Sequence, residues 1–119
     1  MSADTEVPFD RQLFQRALEN IFANALRYTQ DGDSITITAT ETERTIAITV
    51  ADTGIGIDKA EIEHIFDLFY RATNSRRESG MGIGLSVVKN IVDTHGWHIA
   101  VQSEKGAGAT FTITIPKSE

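Results

Sequence analysis

Thr45-Ile-Ala-Ile-Thr-Val-Ala-Asp52-Thr-Gly54-Ile-Gly56-Ile57 is the stretch that decides the fold. Its first half alternates, with Ile46, Ile48 and Val50 on one face, and so reads as a strand with one buried side. Its second half breaks into a glycine-rich turn directly after a carboxylate. An Asp that ends a buried strand needs a partner, because an unpaired buried charge is expensive. Gly54 and Gly56 remove side chains where the backbone must turn tightly and approach something closely. Ile55 and Ile57 can supply apolar wall beside that approach. An Asp-Thr-Gly turn is common in isolation, so the flanking sequence has to separate a plain turn from a pocket.

Upstream, residues 34–40 alternate as well, and residues 41–44 join them to the strand at 45–50. The pair reads as a half-buried antiparallel hairpin, with Ile35 and Ile37 sharing a face. Asp31-Gly32-Asp33 marks a turn before it. Earlier still, residues 11–28 are periodic: Phe14, Leu18, Ile21 and Ala25 are spaced 4, 3 and 4, the stripe of a half-buried helix. Pro8 precedes that helix and Asp10 is placed to cap it. Downstream, Asp58 is placed to cap a short helix through Ile62 and Ile65. Residues 71–80 are polar, carry Arg76 and Arg77, and lack periodicity; such loops in compact domains are functional or disordered. A helix is expected over residues 83–94, with Leu85, Val88 and Val92 on one face and Gly96 as its stop. Residues 97–103 and 109–115 alternate again as a closing hairpin, and Pro116 ends the sheet. The order α-β-β-α-α-β-β gives an α/β (α+β) fold, a two-layer sandwich of one sheet with helices on one face.

The bulk properties narrow the function. A chain of 119 residues fits one domain. Residues 1–6 read as a disordered N-terminal remnant and residues 7–119 as the domain. No cysteine is present, which leaves no disulfide framework or thiolate metal site. The formal charge of -6 argues against a broad nucleic-acid surface. No apolar run approaches the roughly 20 residues that span a bilayer.

Side-chain chemistry collects at three further places. On the first helix, Asn20, Asn24 and Arg27 fall within about 60° of one another, with Tyr28 at the margin of the apolar stripe. An Asn carbonyl can bind Mg²⁺, which prefers oxygen ligands and keeps waters and phosphates; an Arg one turn on can hold a phosphate oxygen. The plainer reading is a helix whose asparagines bond locally. Gly80, Gly82 and Gly84 run into a helix start, where free N–H groups and the dipole favour phosphate. The spacing is neither a dinucleotide-binding fingerprint nor a P-loop. Phe66, Phe69 and Tyr70 stand beside Arg71; aromatics three apart are commonly core.

Taken in order, Asn20-Ile-Phe-Ala-Asn24-Ala-Leu-Arg27-Tyr28, Asp52-Thr-Gly54-Ile-Gly56-Ile57, Phe66-Asp-Leu-Phe69-Tyr70-Arg71 and Gly80-Met-Gly82-Ile-Gly84-Leu85 resemble the N, G1, F and G2 boxes of sensor histidine kinases. The resemblance extends over residues 7–116. It implies the ATP-binding catalytic domain of a two-component kinase, with a Bergerat fold whose sheet is mixed and mostly antiparallel. It implies ATP and Mg²⁺ as cofactors, with Asn24 and Asn20 on the metal and Asp52 on the adenine amine. Arg27 and Arg71 would meet phosphates, and Tyr28 and Ile57 would pack near the base. Gly54, Gly56, Gly80, Gly82, Gly84 and Leu85 would shape the nucleotide loops, residues 71–80 would form a lid, and Thr110 would assist the Asp–adenine network. In gyrase-type ATPases of the same fold, the position of Asn20 holds a Glu that activates water. An amide cannot take that proton, and Glu19 points roughly 100° away, so weak hydrolysis and transfer to another acceptor are expected. Gly96-Trp97 departs from the family's Gly-Gly, with an expected effect on surface packing only.

His64, His95 and His98 lack the context of a phosphoacceptor and read as surface or packing residues. The acceptor histidine is expected on a separate dimerisation domain, with a response regulator as the later acceptor. The fragment is expected to be monomeric, cytoplasmic and without direct membrane or nucleic-acid contact, within a membrane-anchored parent. Two alternatives are a serine kinase of the anti-sigma-factor type and a degenerate docking module.

Overall fold

The computed structural model describes residues 10–67 and 84–117. The elements run α1 (Arg11–Arg27), β1 (Ile35–Glu41), β2 (Thr45–Asp52), α2 (Lys59–Ile62), α3 (Gly84–His95), β3 (His98–Ser103) and β4 (Ala109–Pro116). The expected order of elements holds. Asp10 caps α1, its carboxylate accepting from the N–H groups of Gln12 at 2.9 Å and Leu13 at 3.1 Å. Asp58 caps α2 in the same way through Ala60 N–H at 3.2 Å. α3 stops where Gly96 takes φ +72°, and Trp97 N–H then donates to Val92 O at 2.9 Å.

The strands form one sheet in the order β1-β2-β4-β3, and every pairing among the described residues is antiparallel. Period-2 alternation sorts the two faces. Val50 stands opposite Phe111, and Phe111 opposite Val101; Ile48 stands opposite Ile113, and Ile113 opposite Ile99. This face joins Ala17, Ile21 and Ala25 of α1 and Leu85, Val88 and Val92 of α3 in one core. Thr36, Thr38, Thr49, Thr110, Thr112 and Thr114 have the opposite parity and lie on the other face. Burying an aromatic such as Phe111, 1% exposed, is worth about 3–5 kcal/mol against alanine.

Two expectations are corrected. Ile37 is 53% exposed rather than half buried, because β1 is an edge strand and α1 packs on β2 instead. Trp97 is core rather than surface. It is buried, meets Phe14 edge-on at 5.9 Å, and stacks on His95 at 4.3 Å. His95 is thus a packing histidine, its Nδ1 lying 2.8 Å from Ile91 O.

Candidate nucleotide site

Three segments meet at one end of the sheet: the C-terminus of α1, the loop after Asp52, and the turn between β3 and β4. The first contact is backbone to backbone. Ile55 N–H donates to Tyr28 O at 3.0 Å, and a Cβ on Gly54 would lie 2.1 Å from that same oxygen. Any side chain at 54 would push the loop off the helix. Gly56, at φ +75°, faces the other way: its Cβ would lie 2.1 Å from Glu104 O. The glycines thus serve a close approach, as expected from sequence, but the backbone they approach is the protein's own.

Asp52 is buried, 7% exposed, at the end of β2. Its Oδ1 accepts from Gly54 N–H at 2.9 Å, and Ala109 N–H also donates to the carboxylate. Burial holds the Asp52 carboxyl above the ordinary carboxylate range; those two hydrogen bonds oppose the rise and the Asp33 charge adds to it. A carboxylate kept partly desolvated, with acceptor capacity left over, suits a ligand N–H donor.

Asn24 is the other buried polar residue of the core, 5% exposed, and its Nδ2 is buried without a hydrogen-bond partner among the described residues. Buried amides are normally satisfied, so this Nδ2–H is a donor open to a polar acceptor. Asn20, one turn earlier, faces the start of α3: its Oδ1 lies 3.4 Å from where a Cβ on Gly84 would be. The first and fourth sequence blocks are therefore in contact. Arg27 lies half-buried in the last turn of α1, and Tyr28 is the buried C-cap, its phenol pushed up by burial. Glu19 is exposed and holds Gln15 Nε2 at 3.2 Å, turned away as expected.

Other residues take different places. Ile57 is 0% exposed and part of the core, so Ile55, half-buried, is the accessible apolar side chain of the loop. Leu85 is buried in the core as well, and Phe66 packs edge-on against Phe111 at 6.4 Å. Thr110 does not reach Asp52. The register sets it opposite Ala51, on the far face of the sheet, and puts Ala109 opposite Asp52. Phe69, Tyr70, Arg71, Arg76, Arg77, Gly80 and Gly82 lie outside the described residues, with the expected lid. Sequence reasoning missed Ala109 and Ser103, which occupy one row with Asp52 across β2, β4 and β3. Strand parity was the signal: both share the period of the buried residues.

A cleft of about 810 Å³ lies between α2 and the β3–β4 turn, lined by Asp58, Lys59, Ile62, Ser103, Lys105 and Thr110 among others. Asn24, Arg27 and Asp52 do not line it, so among the described residues this groove and the buried polar pair are separate places. The buried amide and carboxylate are the stronger markers, since a wide polar groove needs no ligand to be satisfied.

Residues 9–119 match the family described as histidine kinase-, DNA gyrase B-, and HSP90-like ATPase. Sensor protein SrrB of Staphylococcus aureus is 41% identical over 113 residues, which are 93% of this chain and 19% of the relative. The chain thus spans about a fifth of that curated relative. The fold superposes on the mycobacterial sensor histidine kinase MprB with TM-score 0.86 and 25% identity, over 95% of this chain and 78% of that one. It superposes on the catalytic domain of histidine kinase ThkA with TM-score 0.79 and 28% identity, over 93% and 71%.

Proposed function

The chain belongs to the histidine kinase-, DNA gyrase B- and HSP90-like ATPase family, and from that premise we propose that it binds Mg-ATP and donates the γ-phosphoryl to a histidine. That histidine lies on a separate dimerisation domain of a two-component sensor kinase, and a response regulator receives the group next. The observation that carries the reading is two buried polar groups: the Asn24 amide, whose Nδ2 has no partner among the described residues, and the Asp52 carboxylate, which keeps acceptor capacity beyond its bond from Gly54 N–H. Asp52 accepts the adenine amine; guanine presents a carbonyl at that ring position and is disfavoured. Asn24, with Asn20 beside it, fits a hard cation that arrives with phosphates and waters. Mg²⁺ bound there supplies neutralisation of phosphate charge. Arg27 and Arg71 hold phosphate oxygens, Tyr28 packs near the base, and the Gly80, Gly82 and Gly84 loop gives its amides to the triphosphate.

Positioning and charge neutralisation account for most of the catalysis in such transfers. Asn20 offers no base, so water is not activated in place of the acceptor. Among the described residues no helix is long and apolar enough to cross a membrane. The test is phosphotransfer from γ-labelled ATP to a histidine-bearing dimerisation domain taken from a relative such as SrrB. Acid-labile label on that domain, absent from its His→Ala variant, is expected. Acid-stable label on serine would overturn histidine specificity.

A further inference from the structure

Ser103 stands two strands away from Asp52, in the same row across the sheet. Ser103 Oγ accepts from Ile57 N–H at 2.7 Å and donates to Gly108 O at 2.7 Å. Its one proton and one of its lone pairs are both used, so the hydroxyl bridges the loop after Asp52 and the β3–β4 turn. Both groups it satisfies belong to buried residues. Gly108 in turn rests on Asp52: at φ +82° its Cβ would lie 2.1 Å from Asp52 O. The loop closes through the Gly54 N–H bond to Asp52 Oδ1 and the Gly106 N–H bond to Ile55 O.

We infer that Ser103 is a positioning residue of the nucleotide site, its hydroxyl fixing the gap between the Ile57 amide and Gly108 and so the aim of the Asp52 carboxylate. Ser103, Ala109 and Asp52 lie in one row across three strands. Strand spacing puts Ser103 about 9–10 Å from Asp52, too far to touch the ligand group that Asp52 binds. Its effect passes through the loop. Without the hydroxyl, the Ile57 N–H and the Gly108 C=O both lose their partner, and the cheapest relief is for the loop to shift or admit water. The turn at 54–57 then loses one of its two ties to the β3–β4 turn, and the Gly54 N–H that orients Asp52 moves with it.

This inference rests on the nucleotide reading above, and the experiment separates the two. Ser103→Thr keeps the hydroxyl, and the open cleft beside Ser103 has room for the methyl. Ser103→Val has the same volume without the hydroxyl. Calorimetric titration of each folded variant with non-hydrolysable ATP and GTP analogues gives affinity and base selectivity. The Thr variant is expected to bind like the unmodified chain. The Val variant is expected to lose about tenfold in affinity for the ATP analogue, ~1.4 kcal/mol, and a comparable factor in its preference for adenine. Equal affinity and selectivity in the two variants would overturn the inference. So would an affinity loss shared equally by both nucleotides, which marks a merely structural serine. Coupling is reciprocal, so ATP analogue must also slow hydrogen exchange at the Ile57 amide of the unmodified chain. That readout decides the matter should the Val variant not fold, and an unchanged rate would overturn the inference. If the unmodified chain binds neither nucleotide, the nucleotide reading itself fails.

Discussion

Gly106 and Gly108 allow the scaffold of the site to be tested by a matched pair of substitutions. Both have left-handed backbone, φ +89° and +82°. Alanine at either position incurs the same conformational cost of about 1–2 kcal/mol. The surroundings differ. A Cβ on Gly106 meets nothing within 4 Å, whereas one on Gly108 would lie 2.1 Å from Asp52 O and 3.0 Å from Asp52 C. Those are backbone atoms in a central strand and cannot swing aside as a side-chain end would. Forcing them apart adds overpacking of about 1–3 kcal/mol. Gly106→Ala is therefore expected to cost about 1–2 kcal/mol and Gly108→Ala about 2–5 kcal/mol. At about 3–5 °C per kcal/mol for a domain of this size, the two melting temperatures should differ by roughly 3–15 °C. Urea denaturation gives the comparison directly, with unchanged m showing that both transitions measure the same unfolding. Gly108→Ala should also weaken nucleotide binding beyond Gly106→Ala, because the displaced atoms carry Asp52. Equal stability losses at the two positions would refute the close packing of the β3–β4 turn on Asp52.

Other outcomes follow from the same geometry. Asn24→Ala is expected to remove mainly the magnesium-dependent part of nucleotide affinity; equal losses with and without Mg²⁺, measured calorimetrically, would count against a metal role. Asp52 is held above its ordinary value of 3.8 by burial, so its ionisation opposes folding. The unliganded domain loses that part of its stability as pH rises from the ordinary value through the raised one. Urea melts across pH should show Asp52→Asn gaining on the unmodified chain as pH rises. Glu41 shows the opposite sign: chiefly through the hydrogen bond from Lys117 Nζ, its carboxyl is lowered from 4.5 to about 2. Its stabilisation is full above the ordinary value and fades as pH falls toward 2. In Lys117→Met, the Glu41 titration followed by NMR should move back up toward the ordinary range.

Much of this architecture was legible because the sequence repeats its instructions. Asp10 and Asp58 stand where caps are needed, Gly96 where a helix must stop, and the period of 2 in the strands matches the observed faces. The errors arose where local pattern met tertiary arrangement. Ile37 alternates like a buried residue, but nothing in the chain says that β1 lies at an edge. Trp97 replaces a glycine in a turn signal, and only the packed fold shows Phe14 and His95 waiting for it. Thr110 is different, since its placement was readable: it shares the parity of Thr112 and Thr114, not of Phe111 and Ile113. The family likeness drew attention to the nearest hydroxyl and past the strand's own alternation. Ser103 was hidden for a related reason. Strand parity assigns its side chain to the buried face, but its role comes from partners 46 and 5 residues away.

We propose that Asp52, held at the end of β2, reads adenine while Asn24 serves the metal-bound phosphates. Calorimetric titration with a non-hydrolysable ATP analogue tests it most directly, run with and without Mg²⁺, against a GTP analogue, on the unmodified chain and on Asp52→Ala. Magnesium-enhanced binding that prefers adenine is expected in the unmodified chain, with that preference lost in Asp52→Ala. Unchanged affinity and selectivity in Asp52→Ala would contradict it.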